Sequence, residues 1–520
     1  MMSLKFKRHY RLLLLFVFVV AFFPIAFHDT RIIAYTVKNE AQTPEVIPIV
    51  SIDNEVELFD DTVVHEIQIL MPETMHTTMI ETFKYTGLKE YFRVDIVIDG
   101  VRINDVGIRL KGNSTLFALG GRRPPGGGRP PGGGPPPGGG PPPGGPPPGG
   151  GPPGGGGPPG FGEEPDQLPY LIKFDEFVSG QRYQGYAELA IRVGGNRPDA
   201  ALMSEPVSNY VFDVIGLPIS QTAYAGVRLN GGEEKLYTIA EHVDEIYIDK
   251  LYPDKEGVLY KAQPFADFSY RGADPTLYAE IFEQKSKIND DDLASLIDFL
   301  RFVSEATDEE FERDLAQHFD VDAFATYLAV NNLLANIDSL AGMGNNYYLY
   351  IELDSQYTTL LAWDTNESLG KLPGEEAGAT LDLYYEDGGW FGPGGNRPQA
   401  EEEEADAEGV QEETEETTAQ EENFAPPMRR RQNLLKERFL ATPSFRLLYE
   451  EKLKELYEKI FVNDLLTPKI NEYADLIRQA NQQRDLVEQA EFDQRVNEVL
   501  EFVRQRKDFL SSTELLQAIR

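Results

Sequence analysis

No cysteine occurs anywhere in this sequence, which excludes disulfides, thiolate metal sites and cysteine nucleophiles. That absence does not identify the compartment, because many exported bacterial-type proteins also lack cysteine. Histidine is scarce too. His9, His28, His65, His76, His242 and His318 are scattered without metal-ligand spacing, which argues against zinc. Positive charge is in short supply, with 48 Lys and Arg against 86 Asp and Glu and a net charge of −38. A surface of that sign repels phosphate backbones, so no nucleic-acid partner is expected. No GxxxxGK[ST] string is present, and no Ser-His-Asp arrangement can be argued from the order of residues.

What the chain does contain begins with "KFKRHYR" and the apolar run Leu12 to Phe27. A positive flank before an apolar run reads as an export signal, or as a membrane anchor where uncleaved, over residues 1–40. The run is shorter than the roughly 20 apolar residues of an ordinary spanning helix, and no small-x-small cleavage site follows it. With the positive flank cytoplasmic, the rest of the chain is expected outside the membrane, secreted or anchored. Two low-complexity insertions follow. Residues 120–160 are nearly all Gly and Pro, without the strict every-third glycine of collagen, and read as a disordered loop. Residues 398–425 hold "EEEEADAEGVQEETEETTAQEEN", a solvated, disordered acidic insertion.

Between these tracts the pattern is α+β. "YFRVDIVIDGVRINDVGIRLKGNST" reads as strand, Asp-Gly turn, strand, and "LPYLIKFDEF" as the next strand. The Gly/Pro tract is therefore a loop within one sheet. "ALMSEPVSNYVFDVIG" reads as a helix ending at Gly216, and Asn230-Gly231 as a hairpin turn. Leu293, Leu296, Ile297 and Leu300 recur at helical spacing, and Asp320 to Asn336 reads as an amphipathic helix leading to Asp338. Thr467-Pro468 is placed as the N-cap and first residue of a C-terminal helix. In "NNYYLYIELDSQYTTLLAWDTNESLG", Tyr347–Leu353 and Tyr357–Trp363 flank the turn Asp354-Ser355-Gln356. Pairing Leu353 with Tyr357 sets Asn346 opposite Asp364, close enough for both to share a hard cation with a phosphate.

Arg109 and Lys111 share a strand face, Lys173 stands on the next strand, and Glu241 ends a later one. Asp338 follows a helix, and Asn346 and Asp364 bracket the hairpin. Basic strand residues followed by Asp, Asn and Asp repeat the order of parts in a protein kinase, although the H-R-D and D-F-G strings are missing.

The segments "GIRLKGNST", "LIKFDEF", "VRLNG…LYTIAEHVD", "GVLYKA", "FATYLAVNNLLANIDSLAGMGNNYYLY", "LLAWDTNESLG" and "LKERFLATPSFRLLYEEKL" occur in that order. On them the chain resembles the spore coat protein H (CotH) kinase family of atypical secreted protein kinases. The resemblance implies a kinase-like α+β domain over residues 41–462, β-rich first and helical later, with C-terminal helices over 463–520. It implies ATP and Mg²⁺ (or Mn²⁺) as cofactors and serine-bearing coat or surface proteins as substrates. Asp338 then looks like the catalytic Asp, and Asp364 like the metal ligand, with Asn346 and Asn366 beside it. Lys173 is the leading candidate for a phosphate contact, with Arg109 and Lys111 as neighbours, and Glu241 touches the nucleotide or orients a basic residue. Three departures from the family stand out: Asn366 where an acid is usual, Asn345 where His is common, and Ser204 where Arg is frequent. An active kinase, a catalytically silent interaction protein and an adenylyl transferase all remain open readings.

Overall fold

The structure is a computed structural model that describes residues 48–112, 116, 119, 167–193, 201–264, 266–287, 293–371, 374–385 and 433–519. The N-terminal apolar segment, the Gly/Pro tract and the acidic insertion lie outside these. Residues from Ile49 onward form one compact unit.

In chain order the strands are β1 (Val50–Ile52), β2 (Val64–Leu70), β3 (Phe92–Ile98), β4 (Val101–Leu110), β5 (Tyr170–Lys173), β6 (Gln181–Tyr183) and β7 (Glu188–Arg192). They continue with β8 (Thr222–Leu229), β9 (Glu234–Glu241), β10 (Gly257–Ala262), β11 (Phe282–Gln284), β12 (Tyr347–Glu352) and β13 (Thr358–Ala362). Seven of them close a barrel in the order β2-β3-β4-β5-β7-β9-β8, antiparallel except where β2 meets β8. Closure leaves no edge, and the alternation of side chains fills the interior. Ile67, Ile96, Ile103, Ile108, Ile172, Ile191 and Ile239 all point inward and are fully buried.

The same alternation sends the charged residues outward. On β5, Tyr170, Ile172 and Phe174 join the barrel core, while Leu171 and Lys173 take the other face, as the sequence pattern indicated. Leu110 pairs with Tyr170, and the Lys111 amide donates to the Pro169 carbonyl at 2.9 Å. The strands on either side of the Gly/Pro tract are therefore direct neighbours.

The helices are α1 (Glu73–Thr86), α2 (Ser204–Val214), α3 (Glu245–Leu251), α4 (Ala294–Glu305), α5 (Asp308–His318) and α6 (Val321–Leu333). After them come α7 (Glu375–Ala379), α8 (Leu434–Ala441), α9 (Pro443–Tyr457), α10 (Leu466–Arg484) and α11 (Gln489–Ser512). With the antiparallel sheet β11-β10-β12-β13, α2 and α4 to α11 surround a second core, while α1 packs Met79 and Phe83 on the barrel and α3 packs Tyr247 and Ile248 against Trp363 and its neighbours. Helix α6 runs through the middle of that second core. Every residue from Phe324 to Leu333 is buried, so the amphipathic helix expected there is instead buried on all sides, with Thr326, Asn331 and Asn332 as its buried polar residues. Helix α10 begins at Leu466, one residue before the expected Thr467 cap, so Pro468 sits within its first turn, where a missing amide is harmless. The unit is α+β, with a β-rich N-terminal part and a helical C-terminal part. Among the described residues no helix is long and apolar enough to cross a membrane.

Candidate active site

Trp363 closes the last strand of the β12–β13 hairpin and is almost wholly buried. Three cations converge on its ring: Lys111 Nζ at 5.2 Å from the centroid, Arg192 Cζ at 5.2 Å and Lys261 Nζ at 5.9 Å. Lys111 extends just past β4, Arg192 ends β7 and Lys261 lies on β10, so barrel and second sheet both contribute. Burial and the mutual repulsion of Lys261, Arg192 and Arg109 hold the Lys111 ammonium well below its ordinary range. Burial, helped by Lys285 and Arg192, brings Lys261 down to about 8. Neither lysine forms an ion pair among the described residues. The indole face repays only part of the cost of crowding three cations.

Arg192 is the hub. Its Nε meets Glu205 of α2 at 2.9 Å, and an Nη2 ion pair reaches Asp364. Its Nη1 is buried without a hydrogen-bond partner among the described residues. Burial raises the Glu205 carboxyl in spite of this guanidinium.

Asp338 stands in the loop that continues α6. The Asn345 amide donates to its Oδ1 at 2.7 Å, and Asn346 Nδ2 to its Oδ2 at 3.0 Å and to its backbone carbonyl at 2.7 Å. Burial is the main cause that lifts this carboxyl to about 6; nearby Glu367 adds to it, and the two amides oppose it. The turn that bears Asp364 is fastened both to the same helix end and to α2. The Leu369 amide donates to the Leu334 carbonyl at 2.9 Å, Thr365 Oγ1 to Asn209 Oδ1 at 2.7 Å, and Ser368 meets Ser208 at 2.6 Å. One scaffold thus carries both carboxylates.

The sequence-predicted residues are distributed unevenly. Lys111 faces the cation cluster, and Arg109 lies beside it, its guanidinium 5.2 Å from the Tyr91 ring. Lys173 shares that outer face but pairs with Glu176 at 3.1 Å. Burial works against its charge, yet the Glu176 contact raises its pKa overall, so Lys173 is already neutralised. Glu241 is not brought to the cluster. It meets the Gln221 amide at 3.3 Å and Lys250 at 3.6 Å. The acid among the cations is Glu188, opposite Lys173 in the ladder and 2.6 Å from His242 Nδ1. Burial alone would raise Glu188, but His242, Lys173 and Lys111 hold it at about 2.

The hairpin register differs by one residue from the expected one. Tyr347 pairs with Ala362 and Ile351 with Thr358, so the ladder does not set Asn346 against Asp364. The Leu353 amide is taken by the Glu256 carbonyl at 2.9 Å, which draws Leu353 into the loop. Asn346 and Asp364 both adopt left-handed backbone, with φ of 56° and 55°. Asn346 turns its amide to Asp338, while Asp364 reaches Arg192. Asn366 is half-buried in the turn after Asp364. Arg192, Lys261, Glu188 and Trp363 were not singled out from the sequence. A buried-position Arg in "ELAIR" and the Lys of "GVLYKA" were the available signals, and both look like ordinary strand residues until the barrel closes.

Among the described residues no group of three acidic or His side chains could hold a metal. Magnesium does not require one, because it is commonly held by one or two carboxylates together with substrate phosphates. Asp364, half-buried and paired with Arg192, is the carboxylate available for that partial role, and the Arg192 Nη1 that has no partner among the described residues, with the two lysines on the indole, fits a phosphate.

The sequence profile of the family described as CotH kinase protein matches residues 160–510. The chain is 26% identical over 208 residues to the "Inner spore coat protein H" of Bacillus subtilis (strain 168), covering 39% of this chain and 56% of that one. It is 23% identical over 358 residues to an "Inner spore coat protein H-like protein" of the same organism, covering 67% of this chain and 86% of that one. A solved structure, the Helicobacter pylori proinflammatory kinase CtkA, is 10% identical with a TM-score of 0.26 over 62% of this chain and 88% of its own, too loose a likeness to argue from. The profile match spans more than half of the sequence, so this kinase-like chain belongs to the CotH kinase protein family.

Proposed function

We propose that the protein is an extracytoplasmic atypical kinase that transfers the γ-phosphoryl group of ATP to serine hydroxyls of coat or surface proteins. The observation that carries this reading is the trio of cations on Trp363, two of them held below their ordinary pKa, together with a carboxylate on the loop after α6 that is raised to about 6. A triphosphate would supply the missing anion and relieve the repulsion. Asp338 would accept a hydrogen bond from the incoming serine hydroxyl and orient it, since positioning and charge stabilisation do most of the work in phosphoryl transfer. Magnesium or manganese, when bound, would neutralise phosphate charge, with Asp364 and Asn366 as its protein ligands.

A second reading, a catalytically silent coat or surface protein, draws on one observation: Arg192 already neutralises Asp364, where a cation would have to compete. Purified full-length protein with Mg²⁺ or Mn²⁺, a generic protein acceptor and ATP labelled at either α or γ separates the readings. Transfer of γ label to serine supports the kinase. Transfer of α label shows an adenylyl transferase, and no transfer favours the silent protein. Asp364→Ala is expected to remove the metal dependence of ATP binding, whereas Asp338→Ala is expected to spare binding and remove transfer. Metal-dependent binding equal to the parent's in Asp364→Ala would sink the metal assignment.

A further inference from the structure

Arg506 is fully buried on α11, and its guanidinium makes no ion pair with any carboxylate among the described residues. Such a charge persists only when its donors are satisfied, and all five N–H groups of this one are. Nη2 donates to the Asn332 carbonyl at 2.9 Å and to Asn332 Oδ1 at 3.0 Å, and Nε to the Leu333 carbonyl at 3.4 Å. Nη1 donates to the carbonyls of Ala379 at 3.1 Å and Leu381 at 2.6 Å. The first set is the C-terminal end of α6, where a cation also complements the helix dipole. The second is the last residue of α7 and the chain just after it, which leads away from the Asp364 turn.

One helical turn earlier on the same face is Phe502. A Cβ placed on Gly370, which ends the Asp364 turn with φ of 78°, would overlap the Phe502 ring. The same ring lies against Gly378, which in turn faces Ala335. Phe502 and Arg506 therefore touch both segments that carry the site carboxylates: the end of α6, which runs on into Asp338, and the turn from Asp364 to Gly370.

We infer that Arg506, with Phe502, is a positioning residue that sets the spacing between Asp338 and Asp364 from the C-terminal helix. This rests on the kinase reading for its consequence, but the geometry it describes does not. Neither residue touches the cation cluster, so nucleotide binding and carboxylate placement are separable.

The test uses the full chain and its Arg506→Lys, Arg506→Met and Phe502→Leu variants. Lysine keeps the charge but, with three donors on one atom, cannot span both carbonyl sets. Hydrogen exchange should quicken in residues 334–346 and 364–371 while strands β2–β5 keep their protection. Turnover per folded molecule should fall about tenfold or more in Arg506→Met and less in Arg506→Lys, with the KM for ATP within about twofold of the parent. Should the Met variant fail to fold, the Lys and Leu variants carry the same comparison. Exchange that rises uniformly, or activity lost only in proportion to the unfolded fraction, would overturn the inference, as would folded variants with parental exchange and turnover. A parent that transfers no phosphate at all would refute the kinase reading instead, and the exchange pattern alone would then decide the role of Arg506.

Discussion

At the scale of single residues, charge is the most informative quantity in this protein. Lys111 and Lys261 sit on one indole with Arg192 between them in sequence and beside them in space. If a phosphate occupies this site, each lysine makes a charge-assisted contact of about 1.5–3 kcal/mol. Lys111→Met should therefore weaken ATP binding roughly tenfold to a hundredfold, measured by calorimetric titration of the folded variant. Lys173→Met should change it far less, because Lys173 already has Glu176. Equal losses in the two variants would show that the cluster on Trp363 is not where phosphate binds. The pH profile follows from two groups. Asp338 becomes ionised as pH rises through about 6, and Lys261 loses its charge as pH rises through about 8. Both are in the competent form only between those values, so kcat/KM for ATP should be bell-shaped with limbs near them. Lys261→Arg keeps a charge at all working pH and should remove the Lys261 part of the basic limb; a limb left unchanged would assign it to another group, with Lys111, also held below its ordinary range, the first to test.

Sequence reading reached some of these residues and not others for physical reasons. Asp338, Asp364 and Lys111 lie in long motifs and could be found by family likeness. Arg192 lies outside those motifs, and Lys261, although inside "GVLYKA", became visible as a site residue only when β10 paired with β12 of the hairpin, since neither strand carries any local mark of its distant partners. Glu241 and Glu188 show the same limit in reverse. Both end or begin a strand of the barrel, and only its closure puts Glu188, not Glu241, opposite Lys173.

At the scale of elements, alternation is legible and register is not. The inward face of "LPYLIKFDEF" followed from period two alone. The hairpin β12–β13 was recognisable by composition, yet its pairing turned on a single amide, that of Leu353, which bonds to Glu256 outside the hairpin. One residue of slip changes which side chains meet, and it separated Asn346 from Asp364. The Gly/Pro tract joins strands that are already neighbours, Leu110 beside Tyr170. Closing a loop costs only about 0.6 kcal/mol per doubling of length. Removing residues 126–157 should thus leave the melting temperature unchanged or slightly raised, as read by calorimetry. A fall of many degrees would mean that the tract contributes packing of its own.

At the scale of the whole molecule, the C-terminal helices, set apart in the sequence reading as residues 463–520, connect the barrel core with the second core. Arg484 at the end of α10 donates to the carbonyls of Val64 at 2.6 Å and His65 at 2.8 Å, on the first strand of the barrel. Lys469 pairs with Asp61 at 2.9 Å, and the Tyr473 hydroxyl reaches the same carboxylate at 2.8 Å. The same face of α10 buries Ile470 and Ile477 in the core around α6. Ile477 is fully buried, so Ile477→Ala removes apolar surface and leaves a cavity, at a cost of about 2–5 kcal/mol. Because α10 grips both layers, that loss should be felt by the entire unit. In a Trp390→Phe background, Trp363 fluorescence reports the junction of hairpin and barrel, and far-ultraviolet circular dichroism reports mainly the helices. Denaturant titration should give one coincident transition by both probes, shifted to lower denaturant by the substitution. If the dichroism transition moves while the Trp363 transition stays, the C-terminal helices unfold alone, and the bracket drawn from Arg484 and Lys469 is too weak to couple the layers.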